Sequence, residues 1–136
     1  MRVFVDTNIL IDLLARRQHF EAAAKLFSLA DRKKIHLYVS SLSIANINYI
    51  LSRSIGRDKT LQAIRDLQLL VNITDLTGKI IQLALNDSNF KDFEDALQYY
   101  SAIEADAKII ITRNGSDFKS SILPVLTAEE YIKTKT

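Results

Sequence analysis

Acidic side chains are spread along this 136-residue sequence, but in three places acids or amides stand directly against an apolar run. Asp6 ends Val3-Phe4-Val5, Asp92-Phe93-Glu94-Asp95 runs into Ala96-Leu97, and Thr112-Arg113-Asn114-Gly115-Ser116-Asp117 follows Ile109-Ile110-Ile111. Carboxylates gathered without histidine or cysteine suit hard, oxygen-seeking cations such as Mg²⁺ or Mn²⁺. Such ions hold and polarise phosphates, and they acidify water enough to supply the nucleophile for phosphodiester hydrolysis. Clustered acids also repel one another, so without an ion some of them take up protons. Plainer roles compete for the same residues. Asp6, helped by Asn8, can cap a helix. Asp92 and Glu94 suit the positive end of a helix dipole, worth a few tenths to about 1 kcal/mol each. Asp95 is less well explained in this way, because it lies about one turn inside the helix.

These side chains must be carried by regular elements, and the apolar spacing supplies them. Val3-Phe4-Val5 has no polar alternation and reads as a short strand buried on both faces. In open α/β sheets the crevice lies just outside the carboxyl ends of such strands, where Asp6 stands. Helical spacing follows over 7–14, over 20–31 with Ala23, Leu26, Phe27 and Ala30 on one face, and over 42–53 with Ile44, Ile47 and Leu51 on one face. Asn46 and Tyr49 occupy the adjacent face of that third helix. Ser40-Ser41 offers its cap, after a second strand over 36–39. Further helices are expected over 57–70, over 78–86 capped by Asp75 or Thr77, and over 93–106 with Ala96, Leu97, Tyr100 and Ile103 as its buried stripe. Strands are expected over 70–73, 108–112 and 122–126. Thr127-Ala128-Glu129-Glu130 makes a capping box for a closing helix. Strands alternating with helices predict an α/β domain of three layers around a parallel sheet joined by right-handed crossovers.

The length predicts a single domain over residues 1–136. There is no cysteine, which excludes a disulfide framework and thiolate chemistry, and His19 and His36 lack metal-ligand spacing. No signal-peptide pattern and no long apolar run is present, so a cytoplasmic protein without a membrane partner is expected. A net charge of +2 permits RNA binding without demanding it.

Taken in order, Val5-Asp6-Thr7-Asn8-Ile9-Leu10, Asp95-Ala96-Leu97 and Ile111-Thr112-Arg113-Asn114 with Asp117-Phe118 resemble the successive motifs of PIN domains. These are metal-dependent ribonucleases that include many prokaryotic toxin–antitoxin toxins. The resemblance covers nearly the whole chain. It implies a sheet of order 3-2-1-4-5 flanked by helices and an endoribonuclease using Mg²⁺ or Mn²⁺. Asp6 would be the first acid, with Thr7 and Asn8 in its supporting turn. Asp95 would be the helix-borne acid with Asp92 as accessory, and Thr112, Asn114 and Asp117 would steady a carboxylate or a metal water. An RNA substrate, an antitoxin partner and a homodimer are implied with it. One departure stands out. Ser41-Leu42-Ser43-Ile44-Ala45-Asn46 puts Asn46 where the family usually carries glutamate. An amide oxygen can coordinate but brings no charge, so metal affinity should fall unless the Asp92/Asp95 pair restores it.

The second expectation is therefore a catalytically weakened module of the same fold that binds RNA or a protein. A haloacid-dehalogenase-type phosphatase needs a second acid where Asn8 stands, and a response-regulator receiver needs an acidic neighbour for Asp6. Arg113, beside the third motif, is the leading candidate for a phosphate contact. Tyr49, Tyr99 and Tyr100 are expected to pack in the core or an interface rather than stack on bases, and His19 and His36 to have no catalytic task.

Overall fold

The computed structural model describes residues 1–135. A five-stranded sheet of order β3-β2-β1-β4-β5 is formed by β1 (Arg2–Val5), β2 (His36–Ser40), β3 (Val71–Thr74), β4 (Ile109–Ile111) and β5 (Val125–Leu126). Each adjacent pair is parallel, with Val5 level with Ile111 and Val3 level with both Leu37 and Ile109. The central position of β1 explains its unbroken apolar run, since Val3, Phe4 and Val5 are fully buried.

Side-chain alternation assigns the two helical layers. Val3, Val5, Leu37, Val39, Ile109 and Ile111 pack on one face against α1 (Thr7–Leu14), α2 (Phe20–Asp31), α3 (Ser41–Ile55), α4 (Arg57–Gln68) and α7 (Ala128–Lys133). Phe4 and Ile110 pack on the other against Tyr99 and Ala102 of α6 (Phe93–Glu104) and against Phe118. Ile80 and Ala84 of α5 (Gly78–Leu85) join Ala96 and Leu97 in a smaller cluster.

Local signals account for most of the boundaries. Asp6 caps α1, Ser40 caps α3, Thr77 rather than Asp75 caps α5, and Thr127 with Glu130 completes the capping box of α7. The strands after β3 are shorter than the apolar runs predict, and Gly115–Phe118 forms a 3₁₀ turn within a segment read only as polar. The buried face of α6 is also broader than a four-residue stripe, because sheet and α5 cover it from two sides. Gln98, Tyr99, Ser101 and Ala102 are buried there, while Tyr100 and Ile103 are only partly so. Tyr49 is not in the core, one of the two placements expected of it: it is 64% exposed on α3, because the adjacent helix face that carries it with Asn46 borders an open cleft.

Candidate active site

The carboxyl ends of β1 and β4 lie side by side, and the chain leaves both through polar residues. At the end of β1, Asp6 is held from several directions. Its Oδ1 accepts from the Thr7 backbone N–H at 2.8 Å, and its Oδ2 accepts from Thr112 Oγ1 at 2.8 Å and from Asn8 Nδ2 at 3.3 Å. Asn8 Nδ2 also reaches Thr112 Oγ1 at 3.2 Å, Asn8 Oδ1 accepts from the Arg113 N–H at 3.2 Å, and Thr112 Oγ1 accepts from the Asn114 N–H at 3.1 Å. The first and third motifs therefore meet as one lattice around a single carboxylate. Burial raises the pKa of Asp6; the Thr112 hydroxyl and the Thr7 N–H oppose that rise, and the negative charge of Asp117 adds to it.

Asp95 is placed differently. It is the third residue of α6 and partly buried, without a hydrogen-bond partner of its own among the described residues. Desolvation, with the charges of Asp117, Asp92, Asp6 and Glu94, pushes its pKa up to about 7. Asp6 and Asp95 line one open cleft of about 490 Å³, together with Asn8, Asn46, Tyr49, Arg113 and others. Asp92 and Asp117 open instead onto a smaller hollow of about 240 Å³ that shares Asp95 as a wall. Asp92 Oδ1 accepts from the Glu94 N–H at 2.8 Å, so Asp92 also caps the helix.

Among the described residues no three acids form a group that could hold an ion unaided. Mg²⁺ rarely asks for such a cage; it keeps several waters and binds through one or two carboxylates plus phosphate oxygens. An oxygen-only set in which one carboxylate is anchored and another is disfavoured as an anion by burial and like charges fits the chemistry of an ion of that kind.

Arg113 stands over the cleft, but its Nε donates to Asp12 Oδ2 at 2.7 Å. Asp12 is 1% exposed and its Oδ1 has no partner. Asp12 is thus a buried counter-ion that aims Arg113, and only its place one turn beyond Asn8 on α1 hints at this in the sequence. The sequence reading also missed Gln98, Ser40 and Ser43 as a set. Gln98 Nε2 donates to Ser43 Oγ at 2.7 Å and to Thr7 Oγ1 at 3.0 Å, and its Oε1 accepts from Ser40 Oγ at 2.7 Å. A detectable signal existed: Gln98 lies three residues after Asp95 and so shares its helix face.

Comparison with known proteins gives this geometry a family. The PIN domain model matches residues 2–116. The chain belongs to the PIN domain family. A similar PIN-family relative is ribonuclease VapC1 of Aquifex aeolicus, 34% identical over 138 residues that cover 96% of this chain and 92% of the relative. The PIN fold recurs in the solved structure of VapBC-1 from nontypeable Haemophilus influenzae, with a TM-score of 0.72, 20% identity and coverage of 95% of this chain and 99% of that one. FitAcB from Neisseria gonorrhoeae matches with a TM-score of 0.71 at 17% identity, over 93% of this chain and 98% of that one. VapBC2 from Rickettsia felis, solved bound to a DNA fragment from its promoter, matches with a TM-score of 0.69 at 20% identity, over 93% and 97%. The sheet order 3-2-1-4-5 is the one that the resemblance implied. Among the described residues no helix is long and apolar enough to cross a membrane.

Proposed function

We propose that this chain, as a single PIN domain over residues 1–136, is a metal-dependent endoribonuclease and the toxin of a toxin–antitoxin pair, working in the cytoplasm. The observation that carries the reading is the shared cleft in which Asp6, anchored by Thr112, Thr7 and Asn8, is lined up with Asp95, whose pKa is raised to about 7 by burial and neighbouring acids. The relative named as a ribonuclease supports the activity. The solved VapBC structures of the same fold support an antitoxin partner; that it covers the cleft, and that the toxin forms a homodimer, belong to the same reading.

Asp6 and Asp95 would hold Mg²⁺ or Mn²⁺ directly, with Asp92, Asp117 and Asn46 acting through water. A bound ion supplies charge neutralisation for the phosphodiester and acidification of water. The chain's own residues do the rest. Thr112, Asn8 and Thr7 keep the Asp6 carboxylate in one orientation, so no reorganisation is needed when substrate arrives. Asn114 holds the Thr112 hydroxyl in turn. Arg113, aimed by Asp12, meets a phosphate oxygen at the cleft mouth. Asp95, whose pKa in the metal-free protein is raised to about 7, would serve as a ligand in its deprotonated form.

The test is calorimetric Mn²⁺ titration of metal-stripped protein, followed by cleavage of total RNA. Saturable binding lost in Asp6→Asn, with cleavage lost in a folded Asp95→Asn, is the expected result. Undiminished cleavage by Asp95→Asn would overturn the assignment.

A further inference from the structure

The residues that line the cleft come from separate elements: the sheet ties β1 to β2, which leads into α3, but among the described residues no backbone hydrogen bond ties α6 to β1 or α3. Asp6 ends β1, Asn46 lies in α3 and Asp95 in α6. Each has a close neighbour in sequence that belongs to one buried hydrogen-bonded group. Thr7 follows Asp6, Ser43 precedes Asn46 by one helical turn, and Gln98 follows Asp95 by one turn. Gln98 is 3% exposed and Ser40 and Ser43 are fully buried. Both recorded donor bonds of the Gln98 amide and its acceptor bond are made inside the group, to Thr7, Ser43 and Ser40. The Thr7 and Ser43 hydroxyls also lie 2.7 Å apart, and the Ser43 backbone N–H donates to Ser40 Oγ at 3.0 Å. An apolar side chain of the same volume could fill the space but could not set these distances, because dispersion contacts have no preferred direction whereas hydrogen bonds do.

We propose that Gln98 is a positioning residue: its side-chain amide sets where Asp6, Asn46 and Asp95 stand relative to one another. It borders the cleft, but its hydrogen bonds go to Thr7, Ser43 and Ser40 and to none of the acids. It acts through Thr7 on the turn that presents Asp6, through Ser43 on the first turn of the helix that presents Asn46, and through its own helix on Asp95. The consequence for metal binding rests on the function proposed above; the mechanical tie does not.

The test compares the parent, Gln98→Met and Tyr131→Ala. Gln98→Met keeps an unbranched side chain of similar size and removes the hydrogen bonds. Tyr131 is buried in α7 and its hydroxyl approaches Met1, at the amino end of β1 away from the cleft, so Tyr131→Ala is a control for general destabilisation. In metal-free protein, hydrogen exchange at the Ile9 and Ser43 amides should quicken at least tenfold in Gln98→Met relative to exchange at Thr112, and should not do so in Tyr131→Ala. In the Mn²⁺ titration, Gln98→Met should lose at least tenfold in affinity while Tyr131→Ala, at an equal or lower melting temperature, stays within twofold of the parent. Thr7→Val should weaken binding less, and adding it to Gln98→Met should cost little more, because both act on one group. Unchanged relative exchange at Ile9 and Ser43 in a folded Gln98→Met overturns the proposal. So does an affinity loss that Tyr131→Ala shares in full. If the parent itself binds no Mn²⁺, the metal-dependent ribonuclease reading fails, and the exchange comparison alone decides for or against the tie.

Discussion

Burial raises the pKa of both acids of the cleft, but their polar neighbours differ. Around Asp6 three donors, the Thr112 hydroxyl, the Thr7 amide and the Asn8 side chain, converge on a carboxylate that is 8% exposed. At the head of α6 the neighbours are other acids, and Asp95 meets Asp117, Asp92 and Glu94 as like charges. In the first region both carboxylate oxygens are hydrogen-bonded, which fixes the orientation of Asp6. In the second, burial and then like charges disfavour the ionised carboxylate. Asp6 is thus the fixed carboxylate of the pair and Asp95 the responsive one.

This contrast can be broken at several points. The largest effect is expected from charge removal at either acid: Asp6→Asn or Asp95→Asn should cut Mn²⁺ affinity by about 100-fold or more, equivalent to about 2.7 kcal/mol, in the titration described above. Next comes the counter-ion pair under the fixed region. Arg113→Met strands the buried Asp12 carboxylate and should cost about 3 kcal/mol in urea unfolding, whereas Asp12→Ala leaves an Arg113 that is 29% exposed by side chain and can rehydrate, so it should cost less. The reverse order would mean that Asp12 packs rather than pairs. Thr112→Val removes the hydroxyl shared by Asp6, Asn8 and Asn114 and should cost about 1–3 kcal/mol by the same assay.

The responsive region predicts a pH effect of opposite sign to the usual acid loss. Because the folded pKa of Asp95 is about 7 against a reference of 3.8, the folded state holds more protons than the unfolded state between those values. Stability of metal-free protein contributed by this group should therefore be full below about pH 4 and fall as pH rises to 7. Allowing for solvent screening of a partly exposed group, the loss is about 1–2 kcal/mol. Asp95→Asn should flatten that slope; a slope unchanged in the variant would remove Asp95 from its cause. The smallest effect is expected at the amide position, where Asn46→Glu adds a carboxylate to the cleft and should raise Mn²⁺ affinity about tenfold, or about 1.4 kcal/mol.

Much of this was legible before any coordinates. The apolar run of Val3-Phe4-Val5 demanded a strand covered on both sides, and β1 is the central strand. The spacing of Ala23, Leu26 and Phe27 located α2 to the residue, and the Thr127/Glu130 pair announced α7. Asp6 could be placed at a carboxyl end because a buried strand cannot absorb an unpaired charge along its length. Each of these rests on periods of two or 3.6 residues, or on contacts within one turn, which sequence carries directly.

What joins the site is of another kind. The hydroxyl that anchors Asp6 comes from Thr112, 106 residues away, and the amide that meets Thr7 comes from Gln98, 91 residues away. No local pattern encodes such pairs. A glutamine on a helix reads as solvated until the helix is docked, and a tyrosine such as Tyr49 reads as core until the face beside it is left open. The sequence determined the strands, the helices and the end of the sheet at which the acids collect. Which acid is bonded, which is strained and what holds them in register was decided only when parallel strands brought distant segments together, because hydrogen bonds and like-charge repulsion act over a few ångströms of space and are indifferent to distance along the chain.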